Sequence, residues 1–392
     1  MSLIETFLLA IAILLLTPSL VILMQVIFAY MPKKHSNIDL ADDTVIAVLI
    51  PAHNESSAMV ATLNSIQAQL RPQDHMLVVA DNCSDDTAEI AIKIGAEVIE
   101  RHDSKNRGKG YALDFGLRHL SQNPPEVVVI VDADCVLEAN ALNQLAANAL
   151  HRGRPVQALY LMYAKGVDLK SKIAEFAWCV KNLVRPLGYA NLGLPCQLMG
   201  TGMAFPWGVI VKADLANGNI VEDMKLGIDL SIAGTPPIFY SQSKVTSYFP
   251  MASEVQSGQK TRWEHGHLVM ILTEVPRLLT QSIVKRDINL LAMAFDLAVP
   301  PLALLVMLLI GYSGVTVVIF MLYDLGHLAF QVTLFALVIL SVAITIAWWG
   351  WGKNIISLST LLFVPVYITL KIPHYINFLL KRQKTWNKTE RD

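Results

Sequence analysis

None of the four cysteines (Cys83, Cys135, Cys179 and Cys196) falls in a Cys-x-x-Cys pair. That spacing offers neither a zinc site nor a disulfide framework, and it suits a reducing compartment. The Gly-x-x-x-x-Gly-Lys-Ser/Thr loop and the Gly-x-Gly-x-x-Gly fingerprint are both missing, which excludes phosphate binding in the manner of an ATPase or a dehydrogenase. Charge is scarce, at 16% of residues with a formal net charge of −1. No basic footprint therefore marks nucleic acid as a partner.

What the chain has in excess is apolar sequence, 54% of its 392 residues. The excess gathers in 3–31 and 290–380, while the stretch between reads as an ordinary α/β protein. Phe7 to Tyr30 carries no charge and is long enough for a bilayer core of about 30 Å at about 1.5 Å per residue. Lysines follow this run rather than precede it, so it reads as an uncleaved anchor with Lys33-Lys34 on the cytoplasmic side. Later runs occupy roughly 291–322, 327–350 and 354–380. Three crossings would leave the basic tail 381–392 outside, against the charge rule. Three resolutions stay open: two short crossings around Gly311–Gly314, a last run that dips and returns, or a tail that breaks the rule. Asp296 is the oddest residue here. It is expected at the membrane interface, with the crossing helix starting beyond it.

Between the apolar ends, strand-like and helix-like patterns alternate. Val45–Ile50, Met76–Ala80 and Val127–Val131 read as buried strands, each ending in a polar cluster. Such alternation predicts a doubly wound, Rossmann-like parallel sheet, in which ligands collect beyond the carboxyl ends of the strands. Asp132-Ala133-Asp134 places two carboxylates one residue apart at a strand end, a hard donor pair for a divalent ion that a diphosphate completes. A solvated turn is the bland alternative. Asp81, at the neighbouring strand end, suits a nucleobase or ribose; the bland alternative is a helix N-cap, a role that Ser84 or Asp85 would fill equally well. Lys109, between Gly108 and Gly110, suits a phosphate or a solvated loop. Glu222-Asp223 opens a helical stretch, where acidic residues also favour the helix N-terminus. Arg262 suits a bidentate phosphate grip, and Trp263 offers a flat face to a sugar ring.

Taken in order, Ile50-Pro51-Ala52-His53-Asn54-Glu55, Ala80-Asp81-Asn82-Cys83-Ser84-Asp85-Asp86-Thr87, Arg107-Gly108-Lys109-Gly110, Asp132-Ala133-Asp134, Gly200-Thr201-Gly202, Glu222-Asp223 and Gln259-Lys260-Thr261-Arg262-Trp263 resemble one family. The set is similar to the inverting, GT-A-fold glycosyltransferases of family 2, in particular the integral-membrane branch of cellulose, chitin and hyaluronan synthases. The resemblance runs from about Val45 to Trp263. It implies that Pro51, Asn54, Glu55 and Asp81 frame the nucleoside, with Lys109 and Asp132 also at the nucleotide. Asp132 and Asp134 would hold Mg²⁺ or Mn²⁺. Asp223, beside Glu222, would be the general base. Gly200, Thr201, Gly202, Gln259, Arg262 and Trp263 would lie at the diphosphate and acceptor. In two places the pattern departs: Ala80-Asp81 stands for the usual acidic pair, and Val221 for the threonine that often precedes Glu222-Asp223.

The expected organisation is an anchor (3–31), a cytoplasmic GT-A domain (40–260), a Gln-x-x-Arg-Trp segment with an interfacial helix (261–289), C-terminal transmembrane helices (290–380) and a basic tail (381–392). The segments 172–187 and 262–284 mix apolar and basic residues as membrane-surface helices do. The expected function is transfer of a sugar from a nucleotide-sugar, a UDP-sugar first, to a lipid-linked or glycan acceptor at a bacterial inner membrane. A processive synthase is the alternative; a pore would then need more helices than this chain offers, which a homo-oligomer or a partner could supply. An inactive nucleotide sensor is the remote third reading.

Overall fold

The computed structural model describes residues 2–32, 38–166, 168–249 and 253–369, without the side chains of 253–261, 362 and 365–369. Lys33-Lys34 and the basic tail, on which the expected topology rests, lie outside the described residues.

An eight-stranded sheet forms the centre, in the order β3-β2-β1-β4-β7-β6-β8-β5. Its first half is β1 (Ile46–Ala52), β2 (His75–Asp81), β3 (Glu97–Arg101) and β4 (Val127–Ile130), all parallel as the sequence predicts. These strands are continuous apolar runs because both faces are covered. Val48, Ile50, Val78 and Val129 pack on one side with Met59 and Leu63 of α2 (Met59–Gln67). Leu49, Leu77, Val79 and Ile130 pack on the other with Leu113 and Leu117 of α4 (Lys109–Leu120). Helix α3 (Thr87–Ile94) joins β2 to β3.

The second half departs from a purely parallel sheet. Strand β7 (Met203–Pro206) runs antiparallel to both β4 and β6 (Val156–Tyr163). Strand β8 (Ile238–Tyr248) is parallel to β6, and the two-residue β5 (Val136–Leu137) is antiparallel to β8. The α/β class stands, but the sheet is mixed. Helices α5 (Ala141–Arg152), α8 (Trp207–Ile210) and α9 (Glu222–Ile232) complete the cover.

Among the described residues, three helices are long and apolar enough to cross a membrane: α1 (Leu3–Ala29), α12 (Leu302–Tyr323) and α13 (His327–Ala347, extended by a π-helical turn to Gly352). Helix α12 runs unbroken through Gly311 and Gly314, so the option of two short crossings there is excluded. Its 22 residues reach about 33 Å. Leu308, Ile310, Val315, Phe320, Phe335, Val338 and Val342 are exposed, as lipid-facing residues would be. Tyr30 Oη donates to the Ile346 carbonyl (2.8 Å) and Tyr312 Oη to that of Leu8 (2.7 Å), tying α1 to α13 and α12.

Between sheet and membrane helices lie α6 (Leu169–Cys179), a π-helical turn (Val180–Val184) and α7 (Arg185–Asn191). The helix expected at 172–187 lies within this continuous helical rod, which carries a π-helical turn at its middle. Its Phe176, Val180 and Val184 are buried against Val21, Ile22 and Val26 of α1 and Leu305 of α12. The expected second surface helix lies within α10 (Ser253–Lys285), which runs unbroken across position 260, and α11 (Ile288–Leu297) and α14 (Leu358–Thr369) follow. Asp296, expected at the interface, is instead inside protein. It sits on α11, ahead of the break at Pro300-Pro301, and pairs with Arg185 (2.8 Å).

Helices α1 and α7 meet backbone to backbone at Gly188, where a β-carbon would lie 1.8 Å from the Gln25 carbonyl oxygen. Gly188→Ala should therefore force the helices apart and destabilise the purified protein by about 1–3 kcal/mol, the usual cost of overpacking. Thermal unfolding in detergent measures this; an unchanged midpoint would deny the contact.

Candidate active site

The polar clusters after β1, β2 and β4 converge on one side of the sheet, where parallel strands end. Asp132 follows β4, and its amide donates to Thr201 Oγ1 (3.1 Å). Lys109, the first residue of α4, forms an ion pair with Asp132 and donates to the Gly200 carbonyl (2.7 Å). Glu222 Oε1 lies 3.9 Å from the same ammonium. Gly200 has φ +90°, and a β-carbon there would come within 3.3 Å of Asp223 Oδ2 and 3.5 Å of Lys109 Nζ. A side chain at 200 would thus crowd the point where Lys109, Asp132 and Asp223 meet. Buried Gln157 holds this loop in place: its Nε2 donates to the Thr201 carbonyl (2.9 Å) and its Oε1 accepts from the Met199 amide (2.8 Å).

Asp223 stands in the first turn of α9, with Oδ1 accepting from the Met224 amide (2.8 Å). Burial pushes the Glu222 carboxyl up to about 7, Lys109 opposing and Asp223 adding to the shift. Burial works against the charge on Lys109, but Asp132 and Glu222 outweigh it and hold the ammonium above lysine's ordinary value. Ligand atoms of Asp132, Asp134 and Cys135 all lie within 4.8 Å of one another. Cys135 is buried, and burial, with Asp134 and Asp132 beside it, keeps its thiol protonated. The two carboxylates are therefore the hard oxygen donors of the cluster.

A cavity of about 220 Å³ is lined by Lys109, Asp132, Asp134, Gly200, Glu222, Asp223, Arg262 and Trp263 together. The structure thus gathers most of the sequence-derived residues in one place. Thr201 is fully buried behind it. The side chain of Gln259 lies outside the described ones. Pro51, Asn54, Glu55 and Asp81 stand beyond this cavity, at the ends of β1 and β2. Asn54 (φ +53°) links the two ends: its Oδ1 accepts from the Ser84 amide (2.8 Å) and its Nδ2 donates to Ser84 Oγ (3.0 Å). The Glu55 amide donates to Thr87 Oγ1 (2.9 Å). Asp81, 7% exposed, caps no helix; its Oδ1 accepts from Arg101 (2.7 Å) and from Asn82 (2.9 Å).

Residues that no motif signalled line the cavity as well. Trp178 meets Trp263 with ring centroids 5.3 Å apart and planes tilted by 41°, and it donates from Nε1 to the Tyr160 carbonyl (3.2 Å). Lys181, Arg185, His267 and Asp296 form the wall toward the membrane helices. A second, apolar cavity of about 500 Å³ lies beyond that wall, among α6, α10, α12, α13 and α14. The two cavities share Trp178, Lys181, Arg185, Trp263 and His267.

The sequence profile described as "Glycosyltransferase like family 2" matches residues 43–266, more than half of the chain. The chain belongs to that family. A probable glycosyltransferase, YdaM, of Bacillus subtilis is 24% identical over 245 residues, 58% of this chain and 56% of that protein. The poly-beta-1,6-N-acetyl-D-glucosamine synthase of Staphylococcus epidermidis is 34% identical over 102 residues, 24% of this chain and 23% of the synthase. The matches thus span about half or less of these relatives' length. A mannosyltransferase from Pyrobaculum calidifontis, solved with GDP-Man and Mn²⁺, superposes with TM-score 0.54 at 16% identity, covering 96% of this chain and all of that one. The fold of this glycosyltransferase is accordingly GT-A.

The raised Glu222 carboxyl gives a linkage test. The unfolded chain releases this proton near 4.5 and the folded chain only near 7. Between those values the folded state holds the extra proton, so stability falls as pH rises. Glu222→Gln lacks that slope: with chelator present it should match the wild type near pH 4.5 and become the more stable protein by pH 7. Unfolding midpoints across this range check it, and parallel curves would refute it.

Proposed function

We propose that this glycosyltransferase carries a sugar, with inversion, from a nucleotide-sugar to an acceptor arriving from the membrane. The observation that carries this reading is the wall shared by the polar and apolar cavities. A soluble acceptor would need only the polar one. The catalytic domain, about 40–260, would face the cytoplasm of a bacterial inner membrane, anchored by 3–31 and by helices within 290–380; the Gln-x-x-Arg-Trp segment and its helix (261–289) would lie between.

In this reading Asp132 and Asp134 hold Mg²⁺ or Mn²⁺, which neutralises charge on the leaving diphosphate. Two neighbouring carboxylates with a neutral thiol beside them suit such an ion. Lys109 adds positive charge on the same side. Pro51, Asn54, Glu55 and Asp81 receive the nucleoside, uridine first. Arg101 and Asn82 take one oxygen of Asp81, which fixes the carboxylate and leaves its other oxygen as the acceptor for the ligand in this reading. Gly200 keeps space for the transferred sugar, and Trp263, braced by Trp178, gives it a flat face. Gln259 and Arg262 close over the diphosphate.

The acceptor hydroxyl oxygen bonds to the anomeric carbon from the face opposite the diphosphate. Asp223 takes the hydroxyl proton, and the bond from that carbon to the diphosphate oxygen breaks, its electron pair leaving with the nucleoside diphosphate. Transfer of this kind needs one base, one stabilised leaving group and no protein nucleophile.

A processive synthase is the second reading, favoured by the partial likeness to the poly-N-acetylglucosamine synthase. Product length from purified protein given labelled nucleotide-sugars separates the two: short, lipid-soluble products fit single addition, long polymer the synthase.

Binding of UDP or GDP should require divalent metal and should be lost in Asp134→Ala. Binding untouched by chelator would count against the ion site. Asp223→Asn should keep that metal-dependent binding while turnover drops at least about a hundredfold; near-normal turnover would mean that another group is the base.

A further inference from the structure

Arg101 ends β3, the edge strand of the sheet, and stands in register with Asp81 at the end of β2. Both side chains are only 10% exposed. The guanidinium reaches in two directions. Its Nη1 donates to Asp81 Oδ1 (2.7 Å), while Nη2 donates to Asp103 Oδ2 (3.1 Å) and to the Asn106 carbonyl (2.8 Å). Asp103 in turn folds the segment that follows it. Its carboxylate accepts from the amides of Lys105 (2.9 Å) and Asn106 (3.0 Å) and from Asn106 Nδ2 (2.9 Å). These bonds, those from Asn106 above all, hold its carboxyl down at about 2, so it stays ionised opposite Arg101. Asn82 closes the ring: its Nδ2 donates to Asp81 Oδ1 (2.9 Å) and its Oδ1 accepts from the Asp103 amide (2.9 Å).

The turn at 103–106 runs on into Gly108 (φ +131°) and Lys109, which pairs with Asp132 at the polar cavity. Arg101 also lies over the ring of Tyr111 (5.6 Å), a cavity residue two positions after Lys109. Arg101 itself lines neither cavity. One buried cation is thus attached both to Asp81 and to the turn that delivers Lys109. A guanidinium is a rigid planar fork, so the angle between its two arms is fixed. We infer that Arg101 is a positioning residue that couples the two ends of the donor site, holding Asp81 and the turn before Lys109 in one relation. A nucleoside seated at Asp81 then finds Lys109 already placed beside its diphosphate. The inference rests on the reading of Asp81 and Lys109 as donor contacts.

The test uses the full chain in detergent and the ligand pair that the wild type binds, uridine with UDP or guanosine with GDP, the diphosphate with Mn²⁺ present. Dissociation constants are read by ligand-observed NMR for the nucleoside and by calorimetric titration for the diphosphate. Arg101→Met should weaken the nucleoside about tenfold and the diphosphate about a hundredfold, the loss of roughly one charge-assisted hydrogen bond at each end. Asp103→Ala loosens the turn and leaves the arm to Asp81, so the diphosphate should weaken about tenfold while the nucleoside stays within about twofold. Arg101→Lys keeps the charge without the fork and should restore one of the two losses, not both. Partial unfolding lowers the number of sites and not the ratio of the two affinities, and the last two variants carry the comparison should Arg101→Met fail to fold. Equal fold losses for both ligands in Arg101→Met would confine Arg101 to Asp81, and an unchanged nucleoside affinity would confine it to the turn. Either result overturns the coupling, as does full recovery of both ligands in Arg101→Lys. Wild type that binds neither UDP nor GDP sinks the donor reading and this inference with it. Wild type that binds, beside an Arg101→Met variant that keeps both affinities, sinks the inference alone.

Discussion

Gln25, Arg185 and Asp296 come from three segments far apart in sequence and meet in one buried network. Arg185 Nε donates to Gln25 Oε1 (2.8 Å), Arg185 Nη2 to Asp296 Oδ1 (2.8 Å) and to its carbonyl (2.9 Å), and Gln25 Nε2 to Asp296 Oδ1 (2.7 Å). The charged side chains are only 10% and 12% exposed. Each segment alone would bury an unsatisfied group; together they satisfy one another, so the arrangement is all or nothing. Helix α1 crosses at Gln25, α7 leads back toward the sheet, and α11 leads on to α12. The lock thus fixes the membrane helices to the wall of the polar cavity.

That constraint explains why polar and apolar cavities adjoin rather than lie on opposite sides of the molecule. Arg185 and Asp296 line the polar cavity while their backbones belong to the helices packed against the long apolar ones. On the sheet side, strand ends deliver Asp132 and Asp134, and the loop stapled by Gln157 brings Gly200 against Lys109 and Asp223. The two halves meet at Trp178 and Trp263, whose rings, tilted against one another, line both cavities.

Much of this was legible in the sequence, because the signals are local. A run of valines and isoleucines ended by Asp-x-Asp defines both β4 and what its end presents, and the same holds after β1 and β2. The helix at Glu222 and the apolar lengths of α1, α12 and α13 follow from short windows of sequence. What was not legible depends on partners far along the chain. The antiparallel β7 lies between β4 and β6 by pairings that no alternation of strand and helix encodes. Arg101 carries no motif, yet it takes one oxygen of Asp81. Asp296 reads as an interfacial oddity because its partners are 111 and 271 residues away. The π-helical turn within the rod at 180–184, whose Val180 and Val184 pack against α1, likewise carries no signal in the sequence.

The lock between α1, α7 and α11 is tested most directly by a double-mutant cycle on Arg185 and Asp296, read by unfolding of the purified protein. Removing one partner leaves the other charge buried, so Arg185→Met and Asp296→Leu should each cost about 3–5 kcal/mol. The double variant should recover most of that loss, a strongly non-additive result. If the single changes are mild and simply add, the two charges do not depend on one another, and the membrane helices are held to the site by something else.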